Sequence, residues 1–183
     1  MLFKRKNIPI EEKKLKSNEI CKRFIDYIDD KKIECIYGYA SSTDEVDTKN
    51  IINYCLLRGI KVFLPKVTDA LSGKMEFYQI NDLDKDLSQG FFGILEPVSL
   101  DLCNNIKPDL IVVPGVAFDL NLNRIGYGKG FYDRYIGEKI DDSTKLVALS
   151  FEEQILIDDY IKADSNDVKM DIIITESRVI GNE

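Results

Sequence analysis

The feature that most constrains the fold is a series of short apolar runs that alternate with helical patterns. Residues 110–113 are fully apolar, which is typical of a strand buried on both faces of a parallel sheet. Similar runs, rich in β-forming residues, predict strands at residues 33–39, 60–64, 75–80, 146–149 and 172–174. We therefore predict an α/β fold: a single three-layer α/β/α domain over residues 1–183, with a mostly parallel, Rossmann-like sheet.

Helical and turn signals separate these strands. Thr48 predicts the cap of a helix that ends before Gly59, and residues 131–137 predict a short helix. Pro65 is expected to end the second strand, and residues 81–108 are expected to be irregular surface chain. Residues 8–30 predict an amphipathic helix with an apolar stripe formed by Ser17, Cys21, Phe24 and Ile28.

Two features of the composition exclude whole classes of chemistry. The 183 residues include no histidine, which excludes Ser-His-Asp triads, Cys-His pairs, His-ligated zinc and histidine acid–base catalysis. The four cysteines are far apart, and all but Cys103 lie in apolar patterns. We expect buried thiols in a reducing compartment, not a zinc ribbon or a redox pair.

The charge is uneven along the chain and limits the partners. The net charge is −7, but residues 1–32 hold ten Lys or Arg and six Asp or Glu, a net of +4, whereas the remaining residues carry −11. An acidic body repels nucleic acid and anionic membranes, so we expect small-molecule substrates. The longest uncharged apolar run, residues 110–118, is too short to span a bilayer, and the start has no signal-peptide pattern. We expect a cytoplasmic protein that is a monomer.

The loop after residue 113 carries the chemistry. Three glycines alternate at positions 126, 128 and 130 and lead directly into a predicted helix. Alternating glycines let successive backbone N–H groups turn toward one anion, and the helix N-terminus adds its positive dipole. Arg124, Lys129 and Arg134 are expected to surround this nest, and Asp133 adds a carboxylate suited to a hard cation. The loop predicts a phosphate site, with a glycine-rich turn and solvated charges as the alternative.

Three better-known loop motifs do not fit this segment. A Walker A loop requires Ser or Thr after the lysine, but Gly130 follows Lys129. A dinucleotide fingerprint requires its glycines directly after the strand. Residues 119–123 resemble the opening of a calcium loop, but Arg124 replaces the required glycine and Gly130 the terminal glutamate.

Two longer segments are more specific. Residues 113–119 (VPGVAFD) and 123–134 (NRIGYGKGFYDR) resemble the signature of the 5-formyltetrahydrofolate cyclo-ligase family, also called methenyltetrahydrofolate synthetases. Residues 44–48, 59–65 and 166–171 fit the same family in order, so the resemblance covers nearly the whole chain. It implies an ATP- and magnesium-dependent reaction. The formyl oxygen of 5-formyltetrahydrofolate attacks the γ-phosphate of ATP, and N10 traps the N5-iminium phosphate to give 5,10-methenyltetrahydrofolate, ADP and phosphate.

The resemblance also implies roles for individual residues. Arg124 and Lys129 are catalytic, with Lys129 neutralising the transferring phosphoryl oxygens, and Asp133 and Asp167 hold Mg²⁺. The ATP-binding residues are Arg124, Ile125, Gly126, Tyr127, Gly128, Lys129, Gly130, Phe131 and Tyr132. The folate-binding residues are Ala40, Glu45, Tyr127, Gly128, Lys129, Gly130 and Phe131, and Glu45 contacts the pterin.

Some positions stay open at this stage. Phe92 is expected either to wall the pterin pocket or to be an ordinary core residue, and Asp171 is left out of the metal site as a possible strand-end cap. Relatives begin earlier, with a Lys and an Arg one helical turn apart that grip ATP. Residues 4–6 are basic but do not reproduce that spacing, so no N-terminal catalytic residue is assigned. A start further upstream, substitution by nearby basic residues and weaker nucleotide binding are the three explanations.

Two other functions compete with the cyclo-ligase. The first is a non-catalytic folate- or nucleotide-binding relative, which the missing N-terminal pair suggests. The second is a sugar-phosphate isomerase or transferase on a similar sheet, which would bind phosphate without ATP. Turnover separates the first from a cyclo-ligase, and nucleotide dependence separates the second.

Overall fold

A computed structural model of the chain describes residues 5–98, 106–157 and 160–181. Helices and strands alternate over residues 10–69, as the sequence predicts, whereas the described part of residues 70–181 has a single α-helix, at residues 131–139, among its strands. In chain order the elements are α1 (Ile10–Asp29), β1 (Cys35–Tyr37), α2 (Lys49–Leu57), β2 (Lys61–Asp69), β3 (Lys74–Ile80), β4 (Leu87–Gln89), β5 (Leu95–Pro97), β6 (Leu110–Val112), β7 (Ala117–Asp119), β8 (Arg124–Ile125), α3 (Phe131–Lys139), β9 (Lys145–Leu149), β10 (Ile155–Leu156), β11 (Ile172–Ile174) and β12 (Val179–Gly181).

The centre of the fold is a seven-stranded sheet with the order β12-β11-β9-β6-β1-β2-β3. The five interior strands are parallel, and the edge strands β12 and β3 pair antiparallel to their neighbours. Side chains of successive strand residues alternate between two apolar cores. One core packs against α1 and α2, and the other packs against α3. The predicted three-layer α/β/α fold with a mostly parallel sheet is confirmed.

The first helix buries the stripe that its sequence predicts. Ser17, Cys21, Phe24 and Ile28 are all buried, together with Ile20.

Among the described residues, no helix has both the length and the apolar character that crossing a membrane requires. The cysteines at 21, 35 and 55 are buried, as predicted, and are not in disulfides. Cys103 lies outside the described residues.

Thr48 occupies the predicted cap position of α2 but does not cap the helix. Its hydroxyl instead donates a hydrogen bond to the carbonyl of Tyr39 at 2.7 Å, because the side chain is buried against the end of the sheet. The Asp47 carboxylate accepts the Lys49 N–H at 2.9 Å in its place. The helix ends before Gly59, as predicted, and Gly59 has a left-handed conformation with φ = 75°.

The prediction that Pro65 ends the second strand is wrong. β2 continues to Asp69 and pairs with β3 from Val62 onward, with Pro65 opposite Phe77 and a register shift between Val67 and Asp69. The parallel ladder with β1 reaches only Phe63. Beyond that point β2 has a ladder partner on one side, and a proline, which lacks an N–H, is tolerated in such a position.

The prediction of irregular chain over residues 81–108 is also wrong in part. β4 and β5 form an antiparallel hairpin, joined through a 3₁₀ turn at Phe91–Gly93. The Lys66 ammonium donates a hydrogen bond to the carbonyl of Pro97 at 2.9 Å, which ties the hairpin to β2.

A small sheet in the order β10-β7-β8 was also not predicted. Its strands β7 and β8 lie between β6 and α3 and bring Arg124 back beside Phe118, and β10 joins them from beyond β9.

Candidate active site

A cavity of about 710 Å³ opens where the chain leaves the carboxyl end of β6. This is the edge of a parallel sheet at which ligands usually bind. The structure brings together every residue to which the family resemblance assigned a role, although these roles remain predictions. The cavity is lined by Ala40, Glu45, Arg124, Ile125, Gly126, Tyr127, Gly128, Lys129, Gly130, Phe131, Tyr132, Asp133 and Asp167.

The glycine loop forms the floor that leads into α3. Gly128 and Gly130 have φ angles of 82° and 63°, a left-handed conformation that side-chain-bearing residues rarely adopt. Gly130 is the residue before α3, so the free N–H groups at the start of this helix lie beside the cavity. Lys129 is exposed on this loop. Together these groups form a positive surface that is suited to an anion.

Arg134 does not surround the nest as the sequence predicts. Its guanidinium donates hydrogen bonds to the carbonyl of Gly73 at 3.2 Å and to the carbonyl of Lys129. The side chain is therefore directed from α3 toward the turn between β2 and β3, and it supports the glycine loop from outside the cavity. Helical spacing alone could not distinguish these two directions.

Arg124 is held rigidly at the cavity wall. Its side chain is buried, and its guanidinium donates to the carbonyl of Pro114 at 3.1 Å and to Oδ1 of Asp133 at 2.6 Å. The Asp133 oxygen also accepts the Val168 N–H at 3.3 Å. The two residues thus form a charged pair in which each side chain fixes the other.

Asp119 is a scaffold residue of the loop between β7 and β8. Its side chain is fully buried, and its two oxygens accept hydrogen bonds from the backbone of Asn121, Asn123 and Ile161 and from the Asn123 amide. Burial would raise the pKa of Asp119, but these hydrogen bonds outweigh it and the pKa is lowered. This internal use of the carboxylate agrees with the rejection of a calcium loop.

Glu45 is linked to the glycine loop and to a residue that the sequence analysis missed. The Tyr127 hydroxyl donates to Glu45 Oε1 at 2.5 Å, and the Ser42 N–H donates to Oε2 at 2.8 Å. Arg5 is buried, and its guanidinium donates to the Tyr127 hydroxyl at 2.9 Å and to the Gly115 carbonyl at 3.3 Å. Burial and the nearby Glu45 charge raise the pKa of Tyr127, so the phenol is neutral.

The basic cluster at residues 4–6 was the only sequence signal that could have identified Arg5. Its spacing gives no reason to prefer one of the three positions. Only the fold shows that Arg5, at the start of the described chain, bonds the cavity residue Tyr127.

A second group of residues forms an apolar wall of the cavity, and this wall was not predicted. It comes from β2, β3 and the β4–β5 hairpin. Its residues are Pro65, Val67, Met75, Phe91, Ile94 and Leu95, with the Glu96 carboxylate beside them. The side chain of Phe92, the one residue singled out here from the sequence, lies outside the described residues. Flat aromatic ligand groups fit an apolar wall with few polar groups.

The two carboxylates that the family resemblance assigns to Mg²⁺ lie in the same cavity. Asp133 and Asp167 both line the cavity, and Mg²⁺ usually binds one or two carboxylates together with phosphate oxygens and water. The described residues include no cluster of three or more acidic, Cys or His side chains that could bind a metal without such help. Asp171 accepts the Leu146 N–H at 2.8 Å and caps a strand, which agrees with its omission.

Known proteins share both the sequence and the fold. The chain matches the family model described as "5-formyltetrahydrofolate cyclo-ligase family" over residues 1–176. A Schizosaccharomyces pombe protein named "Probable 5-formyltetrahydrofolate cyclo-ligase" is 33% identical over 178 residues, which cover 91% of this chain and 86% of the relative.

Two solved structures of 5,10-methenyltetrahydrofolate synthetases have a similar fold. The one from Aquifex aeolicus has a TM-score of 0.82 and 30% identity, and the match covers 97% of this chain and 87% of that one. The one from Mycoplasma pneumoniae, 23% identical, has a TM-score of 0.73 over 96% of this chain and 93% of that one, and supports the fold. The resemblance carried by residues 113–134 is thereby confirmed: the chain belongs to the 5-formyltetrahydrofolate cyclo-ligase family of enzymes.

Proposed function

We propose that this protein converts 5-formyltetrahydrofolate and ATP into 5,10-methenyltetrahydrofolate, ADP and phosphate. The observation that carries the proposal is the composition of the cavity. A glycine loop with Arg124 and Lys129 forms one side, and an apolar wall forms the other. This arrangement suits a nucleoside triphosphate and an aromatic heterocycle that bind side by side.

The proposed reaction has two steps that balance in atoms and charge. The formyl oxygen forms a bond to the γ-phosphorus, and ADP leaves with the electrons of the broken P–O bond. The N5 lone pair then forms the N5–C double bond of an iminium cation. In the second step N10 adds to this carbon and releases its proton to solvent, and phosphate leaves with the electrons of the C–O bond. The product is a cation that shares its charge over N5, the new carbon and N10.

The chain's own residues contribute mainly by position and charge. Lys129 and the N–H groups at the start of α3 neutralise the phosphate oxygens as they transfer. Arg124 is preorganised by Pro114 and Asp133, so it needs little rearrangement when the nucleotide binds. Phosphoryl transfer depends on positioning more than on proton relay, which is compatible with a chain that has no histidine.

The carboxylates have separate tasks in the proposed complex. Glu45 accepts N–H donors of the pterin. The same carboxylate also accepts the hydrogen bond from the Tyr127 hydroxyl. Asp133 and Asp167 would hold Mg²⁺, which neutralises phosphate charge when it is bound. Asp133 is already paired with Arg124 at 2.6 Å, so the same carboxylate would serve both cations.

The test is incubation of the purified protein with 5-formyltetrahydrofolate, ATP and Mg²⁺, with absorbance of the methenyl product as the readout. Product should form only when all three are present. Absence of turnover with retained binding of both ligands would identify a non-catalytic relative. Phosphate-ester binding that is independent of the nucleotide would instead favour a sugar-phosphate enzyme.

A further inference from the structure

Glu96 is a buried carboxylate in the apolar wall of the cavity. It lies on β5, is 9% exposed and lines the cavity beside Ile94 and Leu95. Within the described ranges, none of the ion pairs includes Glu96. Burying a carboxylate in apolar surroundings without a cation is costly. Such a group is therefore expected to face a positive charge that a ligand supplies.

The local structure keeps this carboxylate in place. Oε1 accepts the Val67 N–H at 3.3 Å, a long hydrogen bond. A Cβ atom at Gly90 would lie 2.3 Å from Oε2 and 2.6 Å from Cγ of Glu96, so the absence of a side chain at Gly90 provides the space. The Lys66 ammonium bonds the Pro97 carbonyl next to Glu96. The hairpin thus builds a defined pocket for the carboxylate.

The other carboxylates of the cavity differ from Glu96 in exposure or in their partners. Asp167 is exposed to solvent and accepts the Asp164 N–H at 2.7 Å. Both oxygens of Glu45 accept short hydrogen bonds, at 2.5 and 2.8 Å, and Asp133 is paired with Arg124 at 2.6 Å. Arg124 and Lys129 belong to the glycine loop, where the phosphates are proposed to bind. Glu96 therefore provides a negative charge at the apolar wall of the cavity.

We propose that Glu96 is the countercharge for the positive N5–C–N10 unit that forms during the reaction. This inference rests on the proposed function, in which a neutral N5-formyl group becomes a cationic iminium and then a cationic methenyl product. A fixed negative charge in a water-poor site stabilises a positive charge that develops there. Glu96 then binds the product and the transition state more strongly than it binds the substrate.

The decisive experiment compares two ligands that differ in this charge. The affinities of the wild-type protein and the Glu96→Gln variant for 5,10-methenyltetrahydrofolate and 5-formyltetrahydrofolate are measured without ATP. Glutamine keeps the size and the acceptor for the Val67 N–H. We expect the variant to lose at least tenfold in affinity for the cationic product and less than twofold for the neutral substrate.

A matched control removes a charge elsewhere. Glu76 pairs with Lys139 at 2.5 Å and does not line the cavity, so Glu76→Gln should leave both affinities unchanged. Gly90→Ala displaces the Glu96 carboxylate without replacing it and should reproduce the selective loss. This second variant keeps the proposal testable if Glu96→Gln folds poorly.

Kinetics supply the second readout. Glu96→Gln should lower kcat at least tenfold while KM for ATP stays within twofold. An equal loss of affinity for both ligands, or no loss, would overturn the countercharge role. If the Glu96→Gln variant turns over at the wild-type rate, this inference is overturned and the proposed function is not. A wild-type protein that binds neither folate overturns the proposed function and the inference with it.

Discussion

Removal of the Asp119 carboxylate tests how the loop that delivers Arg124 is held. In Asp119→Ala, the N–H groups of Asn121, Asn123 and Ile161 and the Asn123 amide lose their acceptor. A hydrogen bond to a charged group contributes about 1.5–3 kcal/mol, and a buried donor left without a partner costs more than an exposed one. Because the freed loop lets some donors reach water, we expect a loss of roughly 3–5 kcal/mol in the free energy of unfolding rather than the full sum.

Urea unfolding followed by far-UV circular dichroism measures this loss. The chain has no tryptophan, so the amide signal is the better probe. Asp142→Ala, at an exposed position, is the matched control and should change stability by less than about 0.5 kcal/mol. A loss below about 1 kcal/mol in Asp119→Ala would refute the scaffold role, because four charged hydrogen bonds cannot be that weak.

The pH dependence gives an independent check with a definite sign. The pKa of Asp119 is lowered in the folded protein, so its contribution is fully present above the unfolded pKa of about 3.9 and is lost as pH falls through the folded pKa. The stability difference between wild type and Asp119→Asn should therefore be largest near neutral pH and should shrink in acid. A difference that grows on acidification would contradict the assignment.

Three further variants test the proposed site. Lys129→Ala should lower turnover by roughly 10² to 10³ with an unchanged melting temperature, because the ammonium is exposed at the cavity and supports no packing; a wild-type rate would reject its role. Asp133→Asn should raise the magnesium concentration for half-maximal activity more than it raises KM for folate, and an unchanged magnesium titration would exclude it as a ligand. Arg5→Ala removes the cation that bonds Tyr127 and should raise KM for folate about tenfold, equivalent to ~1.4 kcal/mol. If steady-state kinetics show an unchanged folate KM, Arg5 does not position Tyr127 and Glu45.

The members of the candidate site were predictable because one continuous segment carries most of them. Residues 124–133 supply ten of the thirteen cavity residues that the sequence named, and local glycine and helix-start signals mark that segment. Ala40, Glu45 and Asp167 came from the family resemblance. Arg5 and Glu96 could not be found in this way, because each depends on a contact with chain that is distant in sequence.

The sequence by itself determined which segments are buried and that the central sheet is mostly parallel. The apolar runs at 110–113 and 172–174 and the stripe of α1 allow only a helix-covered parallel sheet, because their side chains have no other way to leave water. Tertiary structure decided the rest. Pro65 stays in a strand because β1 ends opposite Phe63, and the β4–β5 hairpin exists because β2 anchors it. Local patterns record the burial of a segment, but they do not record which distant backbone group or charge will lie beside it.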